Sequence, residues 1–178
     1  SLKQGISEVS RKLDVLTGSS ILNTASKEIE KQINMFYPYM PEEAIQAVSA
    51  VLKTRWIGQG PKVDKVEEKF SNKFKIPNSI TVNSGTSALH LALVLSGVGP
   101  GDEVITTPMT CTATNIPILY TGAKAVFADI QEDTMNIDPK SIEKKITAKT
   151  KAIMCVHWAG YPCDMDEIHK IAKKNHLK

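Results

Sequence analysis

The chain lacks any long apolar run. No window approaches the length of a membrane span, and the N-terminus has no apolar signal core. The sequence therefore predicts no membrane partner and a cytoplasmic setting. It also lacks a strong charge of either sign: 22 Lys and Arg stand against 19 Asp and Glu, a formal +3. That excess is mild and scattered, which argues against nucleic acid as a partner. Cysteine is scarce. Cys111, Cys155 and Cys163 are odd in number and form no C-x-x-C, so neither a disulfide framework nor a zinc site is indicated. A dinucleotide fingerprint is lacking too. Gly97-Val98-Gly99-Pro100-Gly101 follows a helical pattern and precedes a strand, the reverse of the required order. It reads as a helix C-cap and a turn leading to Asp102.

What is present fits one domain with a real core, at 178 residues. Residues 1–36 read as a polar, helical extension with short helices near 6–16 and 25–35, suited to packing or partner contact. From residue 37 the pattern sharpens. Pro41, then Glu42 and Glu43, open a helix carrying Ala44, Ile45, Val48, Val51 and Leu52 at helical spacing. A glycine-rich loop follows at residues 56–61, and then a second helix with Val63, Val66, Phe70 and Phe74 on one face.

Beyond this, strand and helix patterns alternate. Strands are expected at 79–82, 104–107, 125–128 and 152–156. Helices are expected after Ser87 and at about 112–121, 139–146 and 164–176. Asp138 with Pro139 reads as an N-cap and N1 pair, and Asp164 with Glu167 as a capping box. Such alternation predicts an α/β fold with a mostly parallel sheet covered on both faces, and ligands bound beyond the carboxyl ends of its strands. The residues that matter most are thus 84–87, 108–112, Asp129 and 157–160.

The most informative of these is Asn83-Ser84-Gly85-Thr86-Ser87, which lies where a strand pattern feeds a helix. The first N–H groups of a helix lack partners and its dipole is positive there, so an anion such as a phosphate can bind. Gly85 permits close approach, and Thr86 and Ser87 add hydroxyl donors. An ordinary N-cap made by Ser84 or Thr86 explains the same residues without a ligand.

Several segments occur in order: W-I-G-Q-G-P-K-V at 56–63, N-S-G-T-S-A-L-H-L-A-L at 83–93, G-x-G-P-G-D-E-V-I-T at 97–106 and P-M-T at 108–110. They continue as G-A-K-A-V-F-A-D-I at 122–130, N-I-D-P at 136–139, and T-K-A-I-M-C-V-H-W-A-G-Y-P-C-D-M-D-E-I at 150–168. Together they resemble the DegT/DnrJ/EryC1/StrS family of pyridoxal-phosphate-dependent sugar aminotransferases, over residues 37–178. The resemblance implies a truncated large-domain portion of the type I, aspartate aminotransferase-like fold. It implies a homodimer with sites at the subunit interface, and transfer of an amino group from glutamate to a nucleotide-linked keto sugar. By the same resemblance Gly85, Thr86 and Ser87 hold the phosphate of pyridoxal 5'-phosphate, Cys111 packs on the pyridine face, and His157 contacts the cofactor. Trp56 and Gly58 match a loop on the substrate side.

The resemblance implies absences as well. The aspartate that pairs with the pyridinium nitrogen and the Schiff-base lysine come later in the family, at positions this sequence does not include, so no catalytic residue is assigned. No such chain forms the covalent link to the cofactor unaided, and the sequence alone is expected to be inactive. The family's sheet also places strands of its second half between the first strand and the other three, leaving unpaired edges here. A dehydratase of the same family, with histidine in the lysine's place, and a non-catalytic interaction module are the alternatives.

Overall fold

A computed structural model describes residues 37–178. The helices expected near 6–16 and 25–35 lie outside the described residues. The chain divides into two compact units, the first ending at residue 62 and the second spanning 63–178.

In the first unit, helix α1 (Glu42–Thr54) starts after Pro41, which serves as N-cap rather than first helical residue. Glu42 and Glu43 occupy the electropositive first turn, and Arg55, left-handed at φ 61°, ends the helix by donating its N–H to Leu52 O. Helix α2 (Pro61–Phe74) begins at the boundary and carries its length in the second unit.

The second unit continues with α3 (Gly85–Leu95), β1 (Glu103–Thr106), α4 (Thr112–Tyr120), β2 (Lys124–Phe127), α5 (Pro139–Lys145), β3 (Thr150–Ile153), a 3-10 turn (Trp158–Gly160) and α6 (Met165–Lys174). The sheet is parallel, in the order β2-β1-β3. Adjacent residues of a strand point to opposite faces, and the register exploits this. Val104, Ala125 and Ala152 fall on one face with Leu93, Val98 and Ile118; Ile105, Val126 and Ile153 fall on the other with Ile137, Ile142, Ile168 and Ile171. Helices α3 and α4 thus cover one face and α5 and α6 the other.

The observed strands run slightly earlier than the sequence patterns suggest. β1 leaves the sheet after Thr106, so residues 155–156 have no neighbour there to pair with. The strand expected at 79–82 is not formed. That stretch is held instead by Glu67 of α2, whose carboxylate accepts the Thr81 N–H at 2.7 Å and the Thr81 hydroxyl at 2.8 Å. Ile80 is 78% exposed. A strand needs a partner for its ladder, and among the described residues none pairs with this one.

Local signals explain the ends of α3 and α6. After α3, Val98 N–H bonds Leu93 O and Gly97 N–H, at φ +75°, bonds Val94 O, a Schellman ending sealed by the buried Val98–Leu93 pair. After α6, the same pattern uses His176 at φ 56°, with Leu177 N–H on Ala172 O. Lys178 then donates its N–H to Lys151 O and accepts from Ile153 N–H, the two bonds of a parallel neighbour on the outer edge of β3.

Candidate active site

Connectivity sets the geometry of the site. Each helix that follows or precedes a strand of this sheet runs against it, so the N-termini of α3 and α4 and the segment after β3 lie toward the carboxyl ends of the strands, the binding edge of such sheets.

Ser84 is the N-cap of α3: its Oγ accepts the Ser87 N–H at 3.2 Å. The Ser87 hydroxyl bonds Asn83 Oδ1 at 2.7 Å and lies 3.0 Å from Ser84 Oγ. Ser87 is therefore part of the scaffold of the turn as much as a donor. The N–H groups of Gly85 and Thr86 come too early in the helix to reach an intrahelical carbonyl. Gly85 is exposed, and a Cβ added there would meet nothing within 4 Å. The turn is thus an open, positively polarised cradle.

The β1–α4 connection is tied by side-chain hydrogen bonds. Asn115 reaches back from α4, accepting the Thr106 hydroxyl at 2.8 Å and donating to Thr107 O at 3.1 Å. Thr107 Oγ1 accepts the Met109 N–H at 3.0 Å, and the Thr110 and Thr114 hydroxyls pair at 2.8 Å. On this frame Cys111, the exposed N-cap of α4, makes no capping hydrogen bond with its side chain. Asn115 carries no sequence signal of its own, since it follows Thr112 and Thr114 in the polar first turn of α4.

His157 is exposed and precedes the 3-10 turn; its Nδ1 accepts the Cys163 N–H at 3.1 Å. Behind it, burial and then the neighbouring Cys155 push the Cys163 thiol up to about 11, so it stays protonated, donating to Val156 O at 3.1 Å. Asn136, 1% exposed, was legible only as a letter in a motif. It accepts the Trp158 N–H at 2.9 Å and donates to Tyr161 O and Pro162 O, both at 3.0 Å.

Asp129, at the end of β2, is exposed, and its carboxylate accepts the Ser141 hydroxyl at 3.5 Å. Its N–H donates to Ser141 Oγ at 2.9 Å and its carbonyl accepts the Asp138 N–H, tying the end of β2 to α5. In the other unit, Trp56 folds onto its own turn. Its Nε1–H donates to Gln59 O at 2.6 Å, and a Cβ at Gly60 would lie 2.6 Å from that nitrogen; the indole is nevertheless 60% exposed. Gly58 has open space around it. Among the described residues no cluster of three His, Cys, Asp or Glu could hold a metal ion, and no helix is long and apolar enough to cross a membrane.

Known proteins of similar sequence and fold are identified. The spore coat polysaccharide biosynthesis protein SpsC of Bacillus subtilis is 45% identical over 148 residues, covering 81% of this chain and 38% of the relative. The GDP-perosamine synthase of Escherichia coli O157:H7 is 41% identical over 148 residues, covering 83% of this chain and 41% of the relative. The chain therefore spans about two fifths of the length of these curated relatives. Among solved structures, the putative sugar aminotransferase Spr1654 of Streptococcus pneumoniae, in its PLP and PMP forms, superposes with a TM-score of 0.75 at 40% identity, over 80% of this chain and 36% of that one. The α/β fold with its helix-covered parallel sheet is thus similar to the corresponding part of that solved structure. With the family profile matching residues 38–178, the chain belongs to the DegT/DnrJ/EryC1/StrS aminotransferase family.

Proposed function

We propose that residues 37–178 are the N-terminal part of the large domain of a pyridoxal-phosphate-dependent transferase. The whole protein, a homodimer, moves an amino group from glutamate to a nucleotide-linked keto sugar. The observation that carries this reading is the open turn at the start of α3, where unsatisfied N–H groups and an unobstructed Gly85 fit a phosphate. When bound, pyridoxal phosphate supplies an electrophilic carbonyl and an electron sink for amino-group transfer. This chain's residues contribute binding and orientation. The Gly85 and Thr86 N–H groups and the Thr86 hydroxyl grip the phosphate, while Ser84 and Asn83 keep Ser87 in place. Cys111 offers a small, polarisable contact for the ring face, and His157 a polar one at its edge. Trp56 and Gly58 contact the substrate, the half-exposed indole being fixed by Gln59. Relatives named for spore coat polysaccharide biosynthesis and for GDP-perosamine synthesis support the sugar substrate.

The test is Gly85→Ala in the gene product. The position has ordinary backbone angles and room for a Cβ, so the melting temperature should hold within a few degrees. Affinity for pyridoxal phosphate, by isothermal titration, should fall about tenfold as the methyl blocks the cradle. A wild-type protein that does not bind this compound, or a variant that binds it equally, overturns the reading.

A further inference from the structure

We infer that His157 is held with Nδ1 as the acceptor and Nε2 as the N–H donor, and that Asn136 is the positioning residue that holds this fixed donor at the carboxyl end of β3. A backbone amide can only donate. Because Cys163 N–H points at His157 Nδ1, at 3.1 Å, that nitrogen must present its lone pair, and the single proton of a neutral imidazole is left on Nε2. The amide is itself immobile: Cys163 is 5% exposed and its thiol is bound to Val156 O. The turn between them closes on itself through Gly160 N–H to His157 O at 3.0 Å and Tyr161 N–H to Trp158 O at 2.8 Å, with Ala159 left-handed at φ 50°. Such a turn needs support from outside.

Asn136 supplies it from the segment before α5. All three of its side-chain hydrogen bonds go to residues 158–162, so an otherwise strained turn has one buried clamp. Asn136 is itself fixed, donating its N–H to Thr134 Oγ1 at 3.2 Å and accepting the Gln131 N–H at 2.8 Å. An exposed histidine that served only solubility would need no such scaffold. A donor whose direction and choice of ring nitrogen are both set in advance suits recognition of an acceptor atom on a ligand. Only the identity of that acceptor, a polar atom of the cofactor ring, rests on the function proposed above.

Long-range nitrogen–proton NMR of the ligand-free gene product reads the tautomer directly and owes nothing to the cofactor. A His157 ring protonated on Nε2 is expected; a ring protonated on Nδ1, or an averaged mixture, overturns the inference. The second measurement is pyridoxal phosphate affinity. His157→Gln keeps a donor near the Nε2 position and should stay within about threefold of wild type, whereas His157→Asn keeps only the acceptor for Cys163 and should lose about tenfold. Equal losses, or the opposite order, overturn the donor role. Asn136→Asp retains the acceptor for Trp158 and removes both donors. It should turn the single tautomer into a mixture and weaken the cofactor, while leaving the affinity for inorganic phosphate unchanged. If Asn136→Asp folds, by circular dichroism, and keeps the wild-type tautomer, Asn136 is not a positioning residue; should it not fold, Asn136→Ser is read by the same criteria. If the wild-type protein binds no pyridoxal phosphate, the function proposed above fails, and the tautomer measurements still decide this inference.

Discussion

Ile105 and Ile142 have no exposed surface and share one core cluster. Truncating either to alanine leaves a cavity that the surrounding helices cannot fully close. Each change should cost about 2–5 kcal/mol, seen as a lower urea midpoint with an unchanged slope. Glu67 shows a different kind of residue effect. Its carboxylate accepts two hydrogen bonds from Thr81, the backbone one the stronger, and both hold it below the usual carboxylate range. A folded value below the unfolded one means that the attachment is fully present above the ordinary carboxylate range. It is lost as the pH falls through the lowered folded value. The Thr81 amide signal should therefore shift with a titration midpoint below that of a free glutamate, and Glu67→Gln should abolish that titration. An unmoved signal between neutral and strongly acid pH would refute the assignment. At this scale the sequence told little. Asn136 and Asn115 are ordinary letters in a string, because their roles depend on carbonyls and hydroxyls that only the folded chain brings near them. The helix start at Gly85 was legible from the local Ser-Gly-Thr-Ser pattern, although the strand expected before it is not formed.

Among the elements, capping separates true from apparent signals. Asp138 receives the N–H groups of Lys140 and Ser141, as its place before Pro139 implies. Asp164 sits equally well in sequence, yet its carboxylate accepts from Gln131 Nε2 at 2.8 Å, and Glu167 pairs with Lys170 at 2.6 Å instead of reaching back. The capping box is not formed, since a tertiary partner competes for the oxygen. Asp138→Ala should therefore lower stability by about 1 kcal/mol, whereas Asp164→Ala should stay within about 0.5 kcal/mol; equal thermal shifts for the two would contradict the hydrogen bonds seen. Glycines divide in the same manner. At Gly97 a Cβ has room, with Lys151 Cε at 3.8 Å, and only the left-handed backbone opposes it. At Gly122, φ +78°, a Cβ would also come within 2.9 Å of Pro100. Alanine should cost about 1 kcal/mol at Gly97 and more at Gly122, ranked by thermal denaturation. The type of most elements was readable because hydrophobic period is a local property. Residues 79–82 fit a strand by composition and still form none, because pairing is a property of two segments and not of one.

As a whole molecule, the described chain leaves much apolar surface uncovered. In the first unit Ile45, Val48 and Leu52 of α1 are 48–59% exposed at helical spacing; in the second, Leu91, Val94 and Leu95 of α3 reach 46%, 50% and 85%. Surfaces of this kind mark interaction faces or aggregation hazards. The 178-residue chain by itself is therefore expected to elute as an assembly in size-exclusion chromatography with light scattering. A monodisperse monomer with a sharp melting transition would show that these faces are tolerated.

The two faces of the sheet are unequal. One presents Val104, Ala125 and Ala152, the other Ile105, Val126 and Ile153. Should β1 slide by a single residue during folding, Ile105 would be thrust onto the face that now holds Val104, and Val104 onto the opposite one. The unequal faces thus oppose a slipped β1 by steric fit, giving this small sheet a check on its own alignment before any ligand arrives.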